Sequence, residues 1–266
     1  MPELPDVEVF SRYLKRTGLH KKIEKVNVTE DRVLKDTSPQ GLGRALKGRT
    51  LESLRRHGKY LFADMDNGKH LVFHFGMTGF FKYYKDESNK SDHARVIFDF
   101  VNGYHLAFDN QRMLGEIRVV KDADKFIEKE NLGPDPYSKD FDLKTFREIM
   151  NNKRGSVKSA LMNQKTLAGI GNVYSDEILF QAGIDPRSDV KKLSSQDLKT
   201  IYESMQYVFK KAIDAKAMRE KMPNDFLTRH RNEGESCPKG SGKIRKYKFH
   251  GQRGAYYCPK HQKRKK

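Results

Sequence analysis

Tryptophan is missing from this chain, and only two of its 266 residues are cysteine. Two cysteines exclude a disulfide framework, so a reducing, cytoplasmic setting is expected. No stretch reads as a membrane span, and the opening residues lack the basic flank and apolar run of a secretory signal. There is no internal repeat. Acid is also short: 35 Asp and Glu stand against 53 Lys and Arg, a formal net charge of +18. That excess points to a polyanionic partner, nucleic acid ahead of an anionic membrane surface. Sixteen Phe and twelve Tyr supply the aromatic mass that tryptophan does not, many of them expected in a core rather than as platforms for bases.

What is present falls into two stretches. Asp6 to about Arg16 reads as a helix, with Val7, Phe10 and Leu14 on one stripe. Tyr60–Met65 and Lys69–Phe75 then alternate around Asn67-Gly68, as do Arg95–Val101 and Tyr104–Phe108 around Asn102-Gly103. Asn-Gly between alternating apolar runs is a hairpin signal, because both residues tolerate the positive φ of the tight turn. The first half is therefore expected to be an antiparallel sandwich or barrel with a helix at its start. Leu132-Gly133-Pro134-Asp135-Pro136 breaks the pattern as a linker. Helices follow, one capped by Asp142, a short one over Ser175–Gln181 and a longer one opened by Ser194. From Cys237 to Cys258 the chain turns basic and reads as a hairpin, and Lys263–Lys266 as a solvated tail.

Two features carry chemistry. Pro2 is small enough to let Met1 be trimmed, which leaves a secondary amine. An α-amino group titrates at about pH 8, well below lysine, so a useful fraction is a neutral nucleophile near pH 7. Attack on a sugar C1′ or an aldehyde would give an iminium ion, an electron sink, and the Glu3 carboxyl beside it could shuttle protons. A Met-Pro start taken alone more often only stiffens the terminus. Gln164–Tyr174 holds Gly169-Ile170-Gly171 ahead of a helix. Such a turn brings backbone N–H groups close to an anion, and in so basic a chain a DNA or RNA phosphate is a reasonable guest.

Met1-Pro2-Glu3-Leu4-Pro5, Gly58-Lys59-Tyr60-Leu61, His74-Phe75-Gly76-Met77-Thr78-Gly79, the Gln164–Tyr174 stretch and the closing Tyr257-Cys258-Pro259-Lys260-His261-Gln262 occur in that order. Together they resemble the formamidopyrimidine-DNA glycosylase / endonuclease VIII family, and Leu4 places the resemblance in the formamidopyrimidine branch. The resemblance runs nearly end to end. It implies an α+β fold: an N-terminal antiparallel β-sandwich with a terminal helix over 1–131, a helix-two-turn-helix domain over 132–232, and a zinc-finger-like hairpin with a basic tail over 233–266. It implies a monomer acting on damaged double-stranded DNA, a base-excision-repair glycosylase and abasic-site lyase that removes oxidised bases. In that mechanism Pro2 attacks C1′, Glu3 moves protons, Lys59 contacts the lesion nucleotide, and β- and δ-elimination nick the strand. Met77, Arg112 and Leu114 would fill the gap left by the everted base, Leu114 standing where phenylalanine is usual. His74, His93, Lys158, Asn172 and Arg253 would hold phosphates.

The chain departs from the family pattern in its last hairpin. Cys237-Pro238-Lys239-Gly240 lacks the second cysteine, and Cys258-Pro259-Lys260-His261 ends in histidine. Cys237, Cys258 and His261 would be three zinc ligands, with His250 or a water as the fourth; a hairpin held only by its strands is the alternative. Between Ile213 and Phe226, where close relatives carry a longer Gly/Ser-rich loop over 8-oxoguanine, Ala215–Pro223 is short and reads as helical. Ring-opened purines or oxidised pyrimidines are then the expected better substrates. Other classes fit fewer residues: a damaged-DNA-binding paralogue that does not cut has no use for Pro2, Glu3 and Lys59, and a general RNA-binding protein explains only the charge.

Overall fold

The computed structural model describes residues 1–240, 242–249 and 253–266, the Arg253 side chain excepted. The chain divides into two compact units, one of Met1–Pro2 with Asp6–Asn131, the other of Glu3–Pro5 with Leu132–Lys266. The division thus runs between Pro2 and Glu3 at the start of the chain.

The first unit holds most of α1 (Leu4–Thr17), α2 (Pro39–Leu46), α3 (Ala123–Lys129) and eight strands. The strands are β1 (Ile23–Val28), β2 (Leu51–His57), β3 (Tyr60–Met65), β4 (His70–His74), β5 (Phe80–Tyr84), β6 (Ala94–Phe100), β7 (His105–Asp109) and β8 (Glu116–Val120). They form two four-stranded antiparallel sheets, ordered β1-β6-β7-β5 and β2-β3-β4-β8. Alternation puts Leu61, Ala63, Leu71 and Phe73 of one sheet and Val96, Phe98, Leu106 and Phe108 of the other in a single buried cluster. Val7 and Leu14 of α1 and Leu42 and Leu46 of α2 join it. A turn forms at each Asn-Gly pair, but only the glycine takes a positive φ, 75° at Gly68 and 76° at Gly103. Gly68 N–H donates to Met65 O at 3.0 Å and Gly103 N–H to Phe100 O at 2.9 Å, so each is a wider turn ending on glycine rather than a two-residue one. The opposite face of β3 and β4 is covered separately, by Ala123 and Phe126 of α3 on Phe62 and Val72.

The second unit contains α4 (Leu143–Asn151), α5 (Val157–Met162), α6 (Asn172–Gln181), α7 (Ser195–Asp214) and the hairpin β9 (Arg245–Phe249) and β10 (Arg253–Tyr257). The Asp142 side chain caps α4 and Ser194 forms a capping box with Asp197 at α7. Phe146, Ile178, Leu179, Ile201, Met205 and Phe209 belong to its core. Residues Tyr174 to Phe180 of α6 are all buried, including Asp176 and Glu177. The helix expected over Ala215–Pro223 is instead a turn with Lys216 and Ala217 at φ 55°, followed by a 3₁₀ turn over Arg219–Lys221. Among the described residues no helix is long and apolar enough to cross a membrane.

The C-terminal segment corrects one expectation. The backbone of Lys263 and Lys265 is docked, while Lys263, Arg264 and Lys266 stay exposed. Lys263 N–H donates to Gly183 O at 2.8 Å and Lys263 O accepts from Asp185 N–H at 2.9 Å. Lys265 N–H donates to Ser188 Oγ at 3.0 Å, and its ammonium lies 2.9 Å from the Asp197 carboxylate. Charge alone suggests a free tail; the open backbone groups of residues 183–189, which need partners, decide otherwise.

Candidate functional site

An α-helix leaves its first N–H groups without intrahelical partners, and its N-terminus carries partial positive charge. At α6 the N-cap is Gly171, which has no side chain to cap with. The Glu3 carboxylate takes that place. Its Oε2 accepts from Gly171 N–H at 2.8 Å and Tyr174 N–H at 3.1 Å, and its Oε1 from Val173 N–H at 2.9 Å. Glu3 is 2 % exposed. The anion expected at this glycine turn from the sequence was a phosphate; the anion found is the protein's own carboxylate, which needs neither solvent nor ligand to fill the site. Glycine is required there for room, since a Cβ on Gly171 would lie 2.3 Å from Glu3 Cδ. Leu4 N–H donates to Gly169 O at 3.0 Å and fixes the segment that follows Glu3. Pro2, half-buried, is its covalent neighbour.

Lys59 lies in the tight turn between β2 and β3, where His57 pairs with Tyr60, and is 8 % exposed. Across the next pairing Tyr60 stands opposite His74, their rings 4.9 Å apart. Burial pulls the His74 imidazole below its ordinary value; Glu116 opposes this, and Lys59 and Arg118 add to it. His74 is therefore a neutral ring near pH 7, its Nδ1 accepting from Gly76 N–H at 3.4 Å. The turn and the strand end thus bring Lys59 and His74 into one neighbourhood.

Met77, Arg112 and Leu114 are exposed on two loops, Met77 by 39 % and Leu114 by 51 %. One buried side chain, Asn110, joins the loops. Its Nδ2 donates to Phe75 O at 3.2 Å, and its Oδ1 accepts from Leu114 N–H at 3.2 Å and Gly115 N–H at 3.3 Å. Arg112 N–H adds a bond to Thr78 Oγ1 at 3.1 Å. Gly76, at φ 60°, packs so close that a Cβ would meet Leu114 carbonyl atoms at 2.3 Å. His93 joins the group through its carbonyl, which accepts from Asn110 N–H at 3.0 Å. Leu114 is not a core residue: an apolar side chain half in water is a tip. Asn110 went unseen as an organiser because a lone Asn ahead of a turn reads as turn chemistry.

In the second unit Asn172 opens α6, and its Nδ2 donates to Gly254 O in β10 at 3.0 Å, next to the backbone of Arg253. The Arg253 side chain lies outside the described residues. Lys158 departs from the expectation of a phosphate contact. It is 0 % exposed, and its ammonium donates to Asp176 Oδ1 at 2.5 Å, Ser175 Oγ at 2.8 Å and Asn172 O at 3.1 Å. Burial lowers its pKa against the pull of Asp176. A side chain without exposed surface cannot meet a phosphate, so Lys158 holds other groups in place. Asp176 and Glu177 escaped notice because charged pairs in helices are usually a solvated face. The available signal was that α6 offers no polar stripe on which to put them.

The described residues of the hairpin do not gather as a zinc set. Cys237 and Cys258 are both buried, among Phe180, Leu227 and Ile244. Burial, with the Cys258 thiol beside it, pushes the Cys237 thiol up to about 11. His261, with its ring on Phe180 at 4.7 Å, donates from Nε2 to Phe180 O at 2.7 Å. Among the described residues no three His, Cys, Asp or Glu side chains gather as metal ligands. His250 lies outside those residues. Gln262 closes the end of the hairpin instead, accepting from Cys258 N–H and donating to Ile184 O, each at 2.8 Å.

Residues 1–117 match the family profile described as the formamidopyrimidine-DNA glycosylase N-terminal domain, and residues 132–223 that of the formamidopyrimidine-DNA glycosylase H2TH domain. The formamidopyrimidine-DNA glycosylase of Mycoplasma genitalium is 32 % identical over 97 % of this chain and 94 % of its own. That of Streptococcus pneumoniae is 30 % identical over 99 % and 100 %. Among solved structures, the Lactococcus lactis glycosylase bound non-covalently to DNA containing an abasic site superposes with a TM-score of 0.86 at 27 % identity, covering 98 % of this chain and 100 % of that one. A MutM complex with DNA containing carbocyclic 8-oxoguanine gives a TM-score of 0.87 at 26 % identity, covering 99 % and 100 %.

Proposed function

This chain belongs to the formamidopyrimidine-DNA glycosylase family, and from that premise we propose that it is a bifunctional glycosylase and abasic-site lyase of base excision repair. The partner is double-stranded DNA with a damaged base. With Met1 removed, the Pro2 nitrogen adds to C1′ of the everted nucleotide as the glycosidic C–N bond breaks and its electron pair leaves with the base. The sugar ring opens to an iminium, which acidifies the C2′ proton. β-Elimination then expels the 3′ phosphate and δ-elimination the 5′ phosphate. Glu3 is the proton carrier at the sugar and Lys59 steadies the lesion nucleotide. The observation that carries this reading is the Glu3 carboxylate, buried one residue from Pro2 and fixed by three N–H groups of the α6 N-terminus. Fixing the acid-base group beside a nucleophile removes the orientational cost of each proton transfer.

Met77, Arg112 and Leu114 are the residues that fill the vacated stack, supported by their exposure above the Asn110 scaffold. His74, His93, Asn172 and Arg253 are the phosphate contacts. The domain division that suits this work is 1–131 for the chemistry, 132–232 for the helical grip and 233–266 for the hairpin. The short turn after α7 favours ring-opened purines or oxidised pyrimidines over 8-oxoguanine. Zinc is common in this family. Here the packing of Cys237 and Cys258, the Gln262 bonds and the docked tail support a hairpin that holds without it; stoichiometric zinc in chelator-washed protein would reverse that reading.

Borohydride trapping on an abasic-site duplex tests the function. A covalent adduct that maps to residue 2 is expected, with strongly reduced trapping for Pro2→Gly and none when Met1 is retained. A wild-type protein that forms no adduct sinks the mechanism.

A further inference from the structure

Asp176 sits inside α6 with no exposed surface, yet its carboxylate serves three groups from three parts of the second unit. Oδ1 accepts from the Lys158 ammonium at 2.5 Å. Oδ2 accepts from the Arg231 guanidinium at 2.7 and 3.2 Å and from Tyr256 N–H of β10 at 3.1 Å. The cations extend the network in two directions. Lys158 donates to the Asn172 carbonyl at 3.1 Å, at the start of α6. Arg231 donates to the Gly254 carbonyl at 3.3 Å, with its guanidinium 4.5 Å from the Tyr256 ring centre. That Gly254 carbonyl is also the one that Asn172 Nδ2 reaches at 3.0 Å. The backbone on the C-terminal side of Arg253 is therefore held at Gly254 and again at Tyr256, both times through groups tied to α6.

Buried ion networks add little net stability, because desolvation offsets the Coulomb gain; what a fully paired one fixes is geometry. We propose that Asp176 is a positioning residue for DNA binding: it locks β10, and with it Arg253, to the N-terminus of α6, so that Asn172 and Arg253 meet the DNA backbone as one preset pair. The inference rests on the functional reading above, in which both residues contact phosphates. The two cations around Asp176 also explain why Lys158 is buried: it is the far end of this lock.

A double-mutant cycle on binding to a duplex with an abasic-site analogue, repeated over a salt series, tests it. Arg253→Gln is expected to weaken binding about tenfold and to reduce the salt slope by about 0.9, one phosphate contact. Asp176→Asn should do the same, and the double variant should be within about twofold of either single one, because a misplaced Arg253 has little left to lose. Losses that multiply to about a hundredfold, as a merely structural role gives for independent sites, overturn the proposal. Should Asp176→Asn not fold, Arg231→Gln at the partly exposed end enters the same cycle with the same two outcomes. Wild-type trapping is run in parallel. No adduct, or Arg253→Gln with wild-type affinity and salt slope, overturns the functional reading and this proposal with it. A trapped wild type with multiplying losses overturns the role of Asp176 alone.

Discussion

The wedge loops of the first unit and the α6 N-terminus of the second solve opposite problems. In the role proposed for them Met77, Arg112 and Leu114 must be exposed, so their own side chains contribute little to the fold, and order comes from beneath, through one buried Asn110. Glu3, Lys158 and Asp176 are buried charges, and each is held by direct partners: backbone N–H groups for the first, each other and Arg231 for the other two. The contrast teaches where a substitution should register. On the proposed wedge, changing the tip should alter DNA binding and changing the support should alter stability. At α6 the acting groups are themselves part of the packing, so function and fold move together.

The sharpest break of that contrast is Gly171→Ala. Its added methyl would collide with the Glu3 carboxylate at 2.3 Å, and a displaced acid-base group costs about 10²-fold or more in rate. Single-turnover excision on a lesion duplex should fall by that much; activity within a few-fold of wild type means Glu3 does not need its seat. Asn110→Ala comes next. Loss of its buried bonds should cost about 2–3 kcal/mol by denaturant unfolding, whereas Met77→Ala should stay within about 0.5 kcal/mol while weakening binding to lesion DNA. Equal destabilisation by the two would erase the distinction between tip and support.

The smallest effect concerns His74. Its folded pKa lies below the ordinary 6.5 because burial disfavours the charged ring. Below about pH 6.5 the unfolded chain takes up a proton that the folded one resists, so this contribution to stability is whole above that pH and is lost as pH falls toward the folded value. His74→Gln should flatten the acid side of the stability profile in that window. An unchanged profile would mean that the ring is not held neutral.

Much of the fold can be read from local signals. Asn67-Gly68 and Asn102-Gly103 mark their turns because the glycine takes a positive φ that few other residues tolerate. Asp142 and Ser194 mark helix starts through bonds that span only three residues. β1, α2, β2, β5 and β8 carry weaker signals; they form because the two sheets need partners for their edges and cover for their core. The same division holds in the site. Pro2, Glu3, Lys59 and Met77 are named by their motifs, whereas Asn110, Asp176 and Arg231 look like ordinary polar residues until burial gives them a role.

The sequence by itself determined the motifs that make Pro2 the proposed nucleophile, the excess of positive charge that suits DNA, and the hairpins and helices with strong local signals, since each depends on residue identity or on neighbours a few positions away. Tertiary structure alone decided that the anion on α6 is Glu3, 168 residues before Gly171, that Lys158 faces Asp176 rather than solvent, and that the backbone of Lys263 and Lys265 is docked. In each case a buried or unpaired polar group took the partner that folding brought to it, and no local pattern records which one arrives.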